Sequence, residues 1–285
     1  MPQVIGPTIP RWQLGARLRA LRVDADMTID EIRAELGCSE SKIHKIEAGD
    51  VKLSRADLTI MLQTYGVKDD ELKESLYELQ RLGSQRGWWA PYAAGALPGE
   101  FQTFLDLEGA AVSARAFEPL VVHGLLQTAD YARAHAETDS GPAPVEQVER
   151  QVQIRMQRQK SWFGADSRKL WVILDQAVVC RPVGGSDVMR GQLQHLLELP
   201  AHRVTLQVVP FAAGGYPGTA GAMTVFEFAD DLHSPVVYTE GQSGLTYQER
   251  ARDVERATML YNHMSASALS VAESRKIIGD AIRDL

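Results

Sequence analysis

Six polar side chains fall within seven consecutive positions: Ser39, Glu40, Ser41, Lys42, His44 and Lys45, interrupted only by Ile43. Their types suit contact with a nucleic-acid surface. Serine hydroxyls bond phosphates or base edges, the ammonium groups of Lys42 and Lys45 suit phosphate or guanine, and His44 can meet a base edge. Glu40 can accept from the cytosine amino group, but it can equally be a first-turn acid favoured by the helix dipole. Ile43 and Ile46 recur at helical spacing and mark a buried side. A bundle face that meets protein or solvent has the same periodicity, so spacing alone does not decide between the two.

Base contact would require this segment to be a short helix presented by a second one. The preceding residues supply that. T-I-D-E at 28–31 is a capping box, Ile29, Ile32 and Leu36 form an inner face, and Gly37 offers a left-handed exit. Ser39 then caps the next helix, which ends at Gly49. Two helices joined by a tight glycine-containing turn can place the second in a major groove. Leu14, Leu18 and Leu21 predict a helix before them; Ser54 opens another with Leu58 and Leu62, and Asp69–Glu71 open a fifth.

The composition raises an objection. The net charge is −7, and residues 1–86 carry 13 Lys and Arg against 14 Asp and Glu, so any DNA-binding charge must be concentrated on one face. The length of 285 residues allows two domains. Cys38 and Cys180 are too few for a disulfide framework, and Cys38 reads as a small buried turn residue. No apolar run approaches the roughly 20 residues needed to cross a bilayer. The first residues do not read as a signal peptide, so a cytoplasmic location is expected.

The segment LRALRVDADMTIDEIRAELGCSESKIHKIEAGDVKLSRADL resembles the five-helix domain of XRE-type, phage-repressor-like regulators. The resemblance implies binding to a double-stranded DNA operator. It implies base-contact positions at Glu40, Ser41 and Lys45, phosphate positions at Thr28 and Ser39, and a loop along the DNA backbone that contains Lys52. It further implies a structural ion pair between Arg22 and Glu47. One such domain makes few base contacts, so a homodimer on two half-sites is expected.

After the Gly-, Pro- and Trp-containing stretch 84–99, in which Trp88 and Trp89 are expected to dock, the pattern becomes mixed α/β. Helices are expected near 100–115, 124–137, 145–162, 186–199, 247–264 and 271–284. Strands are expected at 169–179, 203–211, 223–228 and 235–240, the last two joined as a hairpin through ADDLHS. The strand–helix–strand order over 169–211 predicts partly parallel pairing. The fold class is thus an α N-terminal helix-turn-helix domain (1–83), a linker (84–99) and a mixed α/β regulatory domain (100–285).

The mixed region carries no metal-type His or Cys spacing, no phosphate-binding loop and no nucleophile elbow, so neither metal, cofactor nor catalytic residue is assigned. Asp175 follows a strand and reads as a cap there rather than as a catalytic acid. Two loops are candidates for a ligand or partner: the turn with Arg181, Gly184 and Gly185, and the loop with Phe211, Gly214, Gly215 and Tyr216. Phe211, Tyr216 and Tyr247 suit a groove, a pocket or plain core packing.

RGWW, EPLVVHGLLQTADYARA, ILDQAVVCRPVGG and LQVVPFAAGGYPG together resemble actinobacterial XRE regulators with a conserved C-terminal domain of unknown function. These look like developmental, antibiotic-production or antitoxin-like regulators, and the resemblance implies a small acidic partner protein encoded nearby. Partner docking and small-molecule sensing both remain open for the second domain.

Overall fold

The computed structural model describes residues 6–92, 99–139, 143–164, 167–229, 233–241 and 244–285. Two compact units emerge: one from the chain up to Pro91 with Leu105–Ala110, the other from Tyr92–Phe104 and everything from Ala111 on.

The first unit holds α1 (Thr8–Asp24), α2 (Ile29–Leu36), α3 (Glu40–Glu47), α4 (Arg55–Thr64) and α5 (Asp70–Ser84). Side chains start four of these helices. Thr28 and Glu31 form the reciprocal capping box on α2, while Ser39, Ser54 and Asp69 each accept backbone N–H bonds at α3, α4 and α5. Gly37 ends α2 with φ of 60°, and the N–H groups of Gly37 and Cys38 return to the carbonyls of Ala34 and Arg33. A side chain at Gly37 would strain that left-handed turn. Cys38 is only partly buried, packed against the core.

One cluster closes this unit: Leu14 and Leu18 of α1 pack with Ile32, Ile43, Ile46, Leu58, Met61, Leu62 and Leu76. Full burial of each such side chain contributes roughly 1.5–3 kcal/mol. Of the two tryptophans in the 84–99 stretch, Trp89 docks through its indole N–H on Asp106 (2.8 Å), whose other oxygen accepts from Thr8 (2.7 Å). Burial pushes the Asp106 carboxyl above its usual range. Residues 93–98 of that stretch lie outside the described residues.

The chain continues as α6 (Gly99–Ala110), β1 (Ser113–Glu118), α7 (Ala129–Asp139), α8 (Val145–Phe163), β2 (Lys169–Asp175), α9 (Gln176–Cys180), α10 (Ser186–Glu198) and β3 (Val204–Val209). It closes with β4 (Met223–Glu227), β5 (Val236–Gly241), β6 (Gly244–Gln248), α11 (Ala251–Ser267) and α12 (Val271–Asp284). Among the described residues the strands form a six-stranded mixed sheet in the order β3-β2-β1-β4-β5-β6. β1, β2 and β3 run parallel, with Phe117 beside Ile173 and Leu170 beside Val204; β4, β5 and β6 join antiparallel. Helix α11 covers one face, where Tyr261 and Met264 meet Phe117, Ile173 and Val209, and Ala257 meets Val225 and Val237.

Several expectations shift, among them the helix expected from 124, where a short 3-10 turn at Gly124–Leu126 precedes α7. The helix near 100–115 stops at Ala110, and 113–118 becomes β1, whose Ala114 and Ala116 fill the crowded middle of the sheet. Alanine favours helices, and tertiary packing overrides that preference. The strand expected over 169–179 ends at Asp175, because that carboxylate accepts the Ala177 N–H (2.7 Å) and starts α9. The helix expected from 247 starts at Ala251, and Tyr247 instead stands in β6 against Tyr238. β4 and β5 pair as the anticipated hairpin, although residues 230–232 of its connection lie outside the described residues.

Candidate nucleic-acid interface

Along α3 the side chains divide cleanly. Ile43 and Ile46 are buried, whereas Glu40, Ser41, His44 and Lys45 are exposed. At about 100° per residue these four span an outward arc of roughly 140°. Glu40 and His44, one turn apart, stand 3.4 Å from each other. Glu40 thereby has a neighbour on its own helix as well as its place in the first turn.

Two contacts with α1 fix how that arc is presented. Arg22 grips Glu47 with Nε to Oε1 at 2.6 Å and Nη2 to Oε2 at 3.1 Å, and its third nitrogen donates to the Met27 carbonyl (2.9 Å). The bond to Glu47 raises the Arg22 pKa, so the guanidinium keeps its charge and the pair is a charge-assisted one. Farther along α1, Gly15 faces the end of α3. A Cβ there would lie 2.6 Å from the carbonyl oxygens of both Ile46 and Glu47. The two helices touch backbone to backbone because position 15 has no side chain.

The remaining candidates already have partners. The Lys42 ammonium sits 3.1 Å from Asp57 of α4. Lys52 donates to the carbonyl of Ser84 (3.1 Å), at the negative end of α5. The Thr28 backbone N–H (2.7 Å) and hydroxyl (2.8 Å) both donate to the Glu31 carboxylate and hold it below its usual range, and the hydroxyl accepts the Glu31 N–H in return. Ser39 accepts the Lys42 N–H (3.3 Å). The outward arc therefore carries Lys45 as its only lysine, and much of the surrounding positive charge is tied to the protein itself.

In the second unit the two candidate loops part ways. Tyr216 donates its hydroxyl to Asp175, and the Phe211 N–H donates to Gln176 (2.7 Å), so this loop closes over the start of α9. Both Asp175 oxygens are thus occupied, one as a helix cap. Phe211 itself is exposed, and Gly214 takes a φ of 65°. The other turn follows the far end of α9: Arg181 is exposed, Gly185 caps α10, and Gly184 packs so close to Ala134 of α7 that a Cβ would sit 2.7 Å away. Among the described residues, no hydrogen bond or ion pair joins the two loops.

A cavity of about 450 Å³ does open in this unit, between α11, the strands β4–β6 and residues 217–222. It begins where the second candidate loop ends, and none of that loop's nominated residues lines it. Nothing in the sequence marks it: Thr239 falls in an expected strand, but β6, which brings Thr246 and Gln248 to the same wall, is not expected, and Gln248 falls in the helix expected from 247.

Residues 13–76 match a helix-turn-helix domain family, and residues 101–280 match a domain of unknown function, DUF5753. The chain belongs to the DUF5753 family. No curated protein and no solved structure matches it. In this DUF5753 protein the helix-turn-helix match takes in α2, α3 and their joining turn, which supports a DNA-binding regulator. The DUF5753 match spans the mixed sheet and α11. Among the described residues, no helix is long and apolar enough to cross a membrane.

Proposed function

We propose that this protein is a sequence-specific transcriptional regulator of the XRE type that inserts α3 into the major groove of an operator as a homodimer. The supporting observation is the outward arc of Ser41, His44, Lys45 and Glu40, held to α1 by the Arg22–Glu47 clamp. Arginine and glutamate there serve as scaffold, and the exposed side chains serve as readers. The C-terminal domain dimerises and docks a small acidic partner protein, without catalysis of its own, in a cytoplasmic, antitoxin-like or developmental regulator of the actinobacterial kind.

A second reading of that domain, as a small-molecule sensor, is favoured by one observation: the 450 Å³ cavity falls within the usual range of ligand sites, roughly 300–1,000 Å³. The test of the main reading is selection of duplexes from a random library by the full chain, with light scattering of the complex. Enrichment of two inverted half-sites about 10 base pairs apart, bound by a dimer, is expected. Absence of any enriched sequence overturns the proposal. Stoichiometric co-purification with the product of a neighbouring gene separates partner docking from sensing.

A further inference from the structure

We infer that the cavity beside α11 is a binding site for an aromatic amino acid, held by its ammonium and its carboxylate at once. The inference rests on the sensor reading of the C-terminal unit and names the ligand chemistry of its site.

Side chains alternate along each strand, and this decides which of them face the bay. Helix α11 seals β4 and the start of β5, where Val225, Val237 and Ala257 are buried together. Toward β6 the cover stops, and Thr239 and Thr246, paired across the strands, are left on an open wall. Glu240, next in sequence, lends only backbone: its carboxylate accepts from the Tyr238 hydroxyl (2.8 Å) on the opposite face of the sheet. Met223, Leu260 and Met264 floor the bay. An apolar floor with a few hydrogen-bonding groups on its wall is the make-up of a small-molecule site. Two thioethers on that floor suit an aromatic ring, which sulfur contacts favourably.

The arrangement of charge decides the class of occupant. Among the described residues, the charged side chains that face the bay are Asp253 and Arg256, one turn apart on the same side of α11. They do not neutralise each other. Asp253 meets the exposed Arg252 at 3.4 Å, and among the described residues no ion pair joins it to Arg256. The cavity therefore offers one carboxylate and one guanidinium, separate and opposite. An amine alone would be drawn to Asp253 and repelled by Arg256, and a carboxylic acid alone would meet the reverse. A zwitterion satisfies both: its carboxylate faces Arg256, its ammonium faces Asp253, and its apolar body covers the floor. A volume of about 450 Å³ leaves room for a side chain as large as an indole.

Three compounds with one indole body and different charges test this on the full chain by titration calorimetry: L-tryptophan, tryptamine and indole-3-propionate. Tryptophan is expected to bind saturably, at one site per chain and about tenfold more tightly than either analogue. Asp253→Asn should erase its advantage over indole-3-propionate, and Arg256→Gln should erase its advantage over tryptamine. Thr246→Trp, at an exposed position of β6, fills the bay and should abolish binding; the two charge variants keep the test alive if it misfolds. Glu255→Gln, an exposed acid of α11 outside the cavity, should leave binding unchanged. An analogue that binds the unaltered chain as tightly as tryptophan overturns the ligand class. No saturable binding by any of the three, or binding indifferent to all three cavity variants, overturns the site. Saturable binding that leaves affinity for a selected duplex unchanged overturns the sensor reading instead, so the failures are distinguishable.

Discussion

Arg22 and Glu47 meet through two hydrogen bonds with only 13% and 6% of their side chains exposed, tying the end of α1 to the end of α3. Removing one partner strands the other charge in a poorly solvated place. Arg22→Ala or Glu47→Ala should each lower the stability of the full chain by about 2–4 kcal/mol, measured by urea unfolding. The Arg22→Met/Glu47→Leu pair should recover much of that loss. If either single substitution is neutral, the clamp does not hold α3.

Gly15→Ala makes a sharper demand, because the obstacle is backbone. The added methyl would press on the carbonyls of Ile46 and Glu47 at 2.6 Å and push α3 off its seat. A destabilisation of about 1–3 kcal/mol is expected, together with weaker binding to a selected duplex. Melting temperature and a binding titration check both parts.

The legibility of the first unit in the sequence was high, and the reason is local. Capping residues and the glycine exit of α2 act within a few positions of themselves, so Thr28, Ser39 and Gly37 announce their roles without tertiary context. The state of the candidate lysines was not legible. Lys42 is fifteen residues from Asp57 and Lys52 thirty-two from Ser84, and only folding brings them together. In the second unit the amphipathic helices and apolar strands were readable from periodicity. β1, with its alanines, and β6, exposed along Thr246 and Gln248, were not, because their strand character comes from their neighbours in the sheet.

The Lys42–Asp57 pair leads to a prediction about salt. Asp57→Asn frees an ammonium beside the reading helix, so operator affinity should rise and the slope of log affinity against log salt should steepen by about one unit. Lys42→Ala should change affinity little, since that ammonium is already engaged by Asp57. Titrations at several salt concentrations decide the matter.

A buried pair in the second unit should shape the pH dependence of stability. His123 accepts the Leu125 N–H on Nδ1 (3.3 Å) and lies 4.0 Å from Glu118. Burial pushes the Glu118 carboxyl up to about 8 and the His123 imidazole down to about 3. Between about 4.5 and 6.5 the native pair holds one proton, on Glu118, and the unfolded chain also holds one, on His123, so stability is flat. Above 6.5 the unfolded chain has lost its proton while the native state keeps one until about pH 8, so stability falls as pH rises. Below 4.5 the unfolded chain gains a second proton that His123 refuses until about pH 3, so stability falls as pH drops. Glu118→Gln should abolish the alkaline decline and move the onset of the acid one up from about 4.5 to about 6.5, where the unfolded His123 takes a proton that the native one refuses until about pH 3, as followed by melting temperature against pH.

The central claim is that the exposed arc of α3 reads bases while its flanks hold it in place. The most direct measurement is the affinity of the full chain, with Ser41→Ala and Lys45→Ala beside it, for a selected duplex and for duplexes altered one base pair at a time. Each substitution should cost about 1–3 kcal/mol on the selected duplex and relax preference at one defined base position. Unchanged affinity and unchanged base preference in both variants would contradict the account.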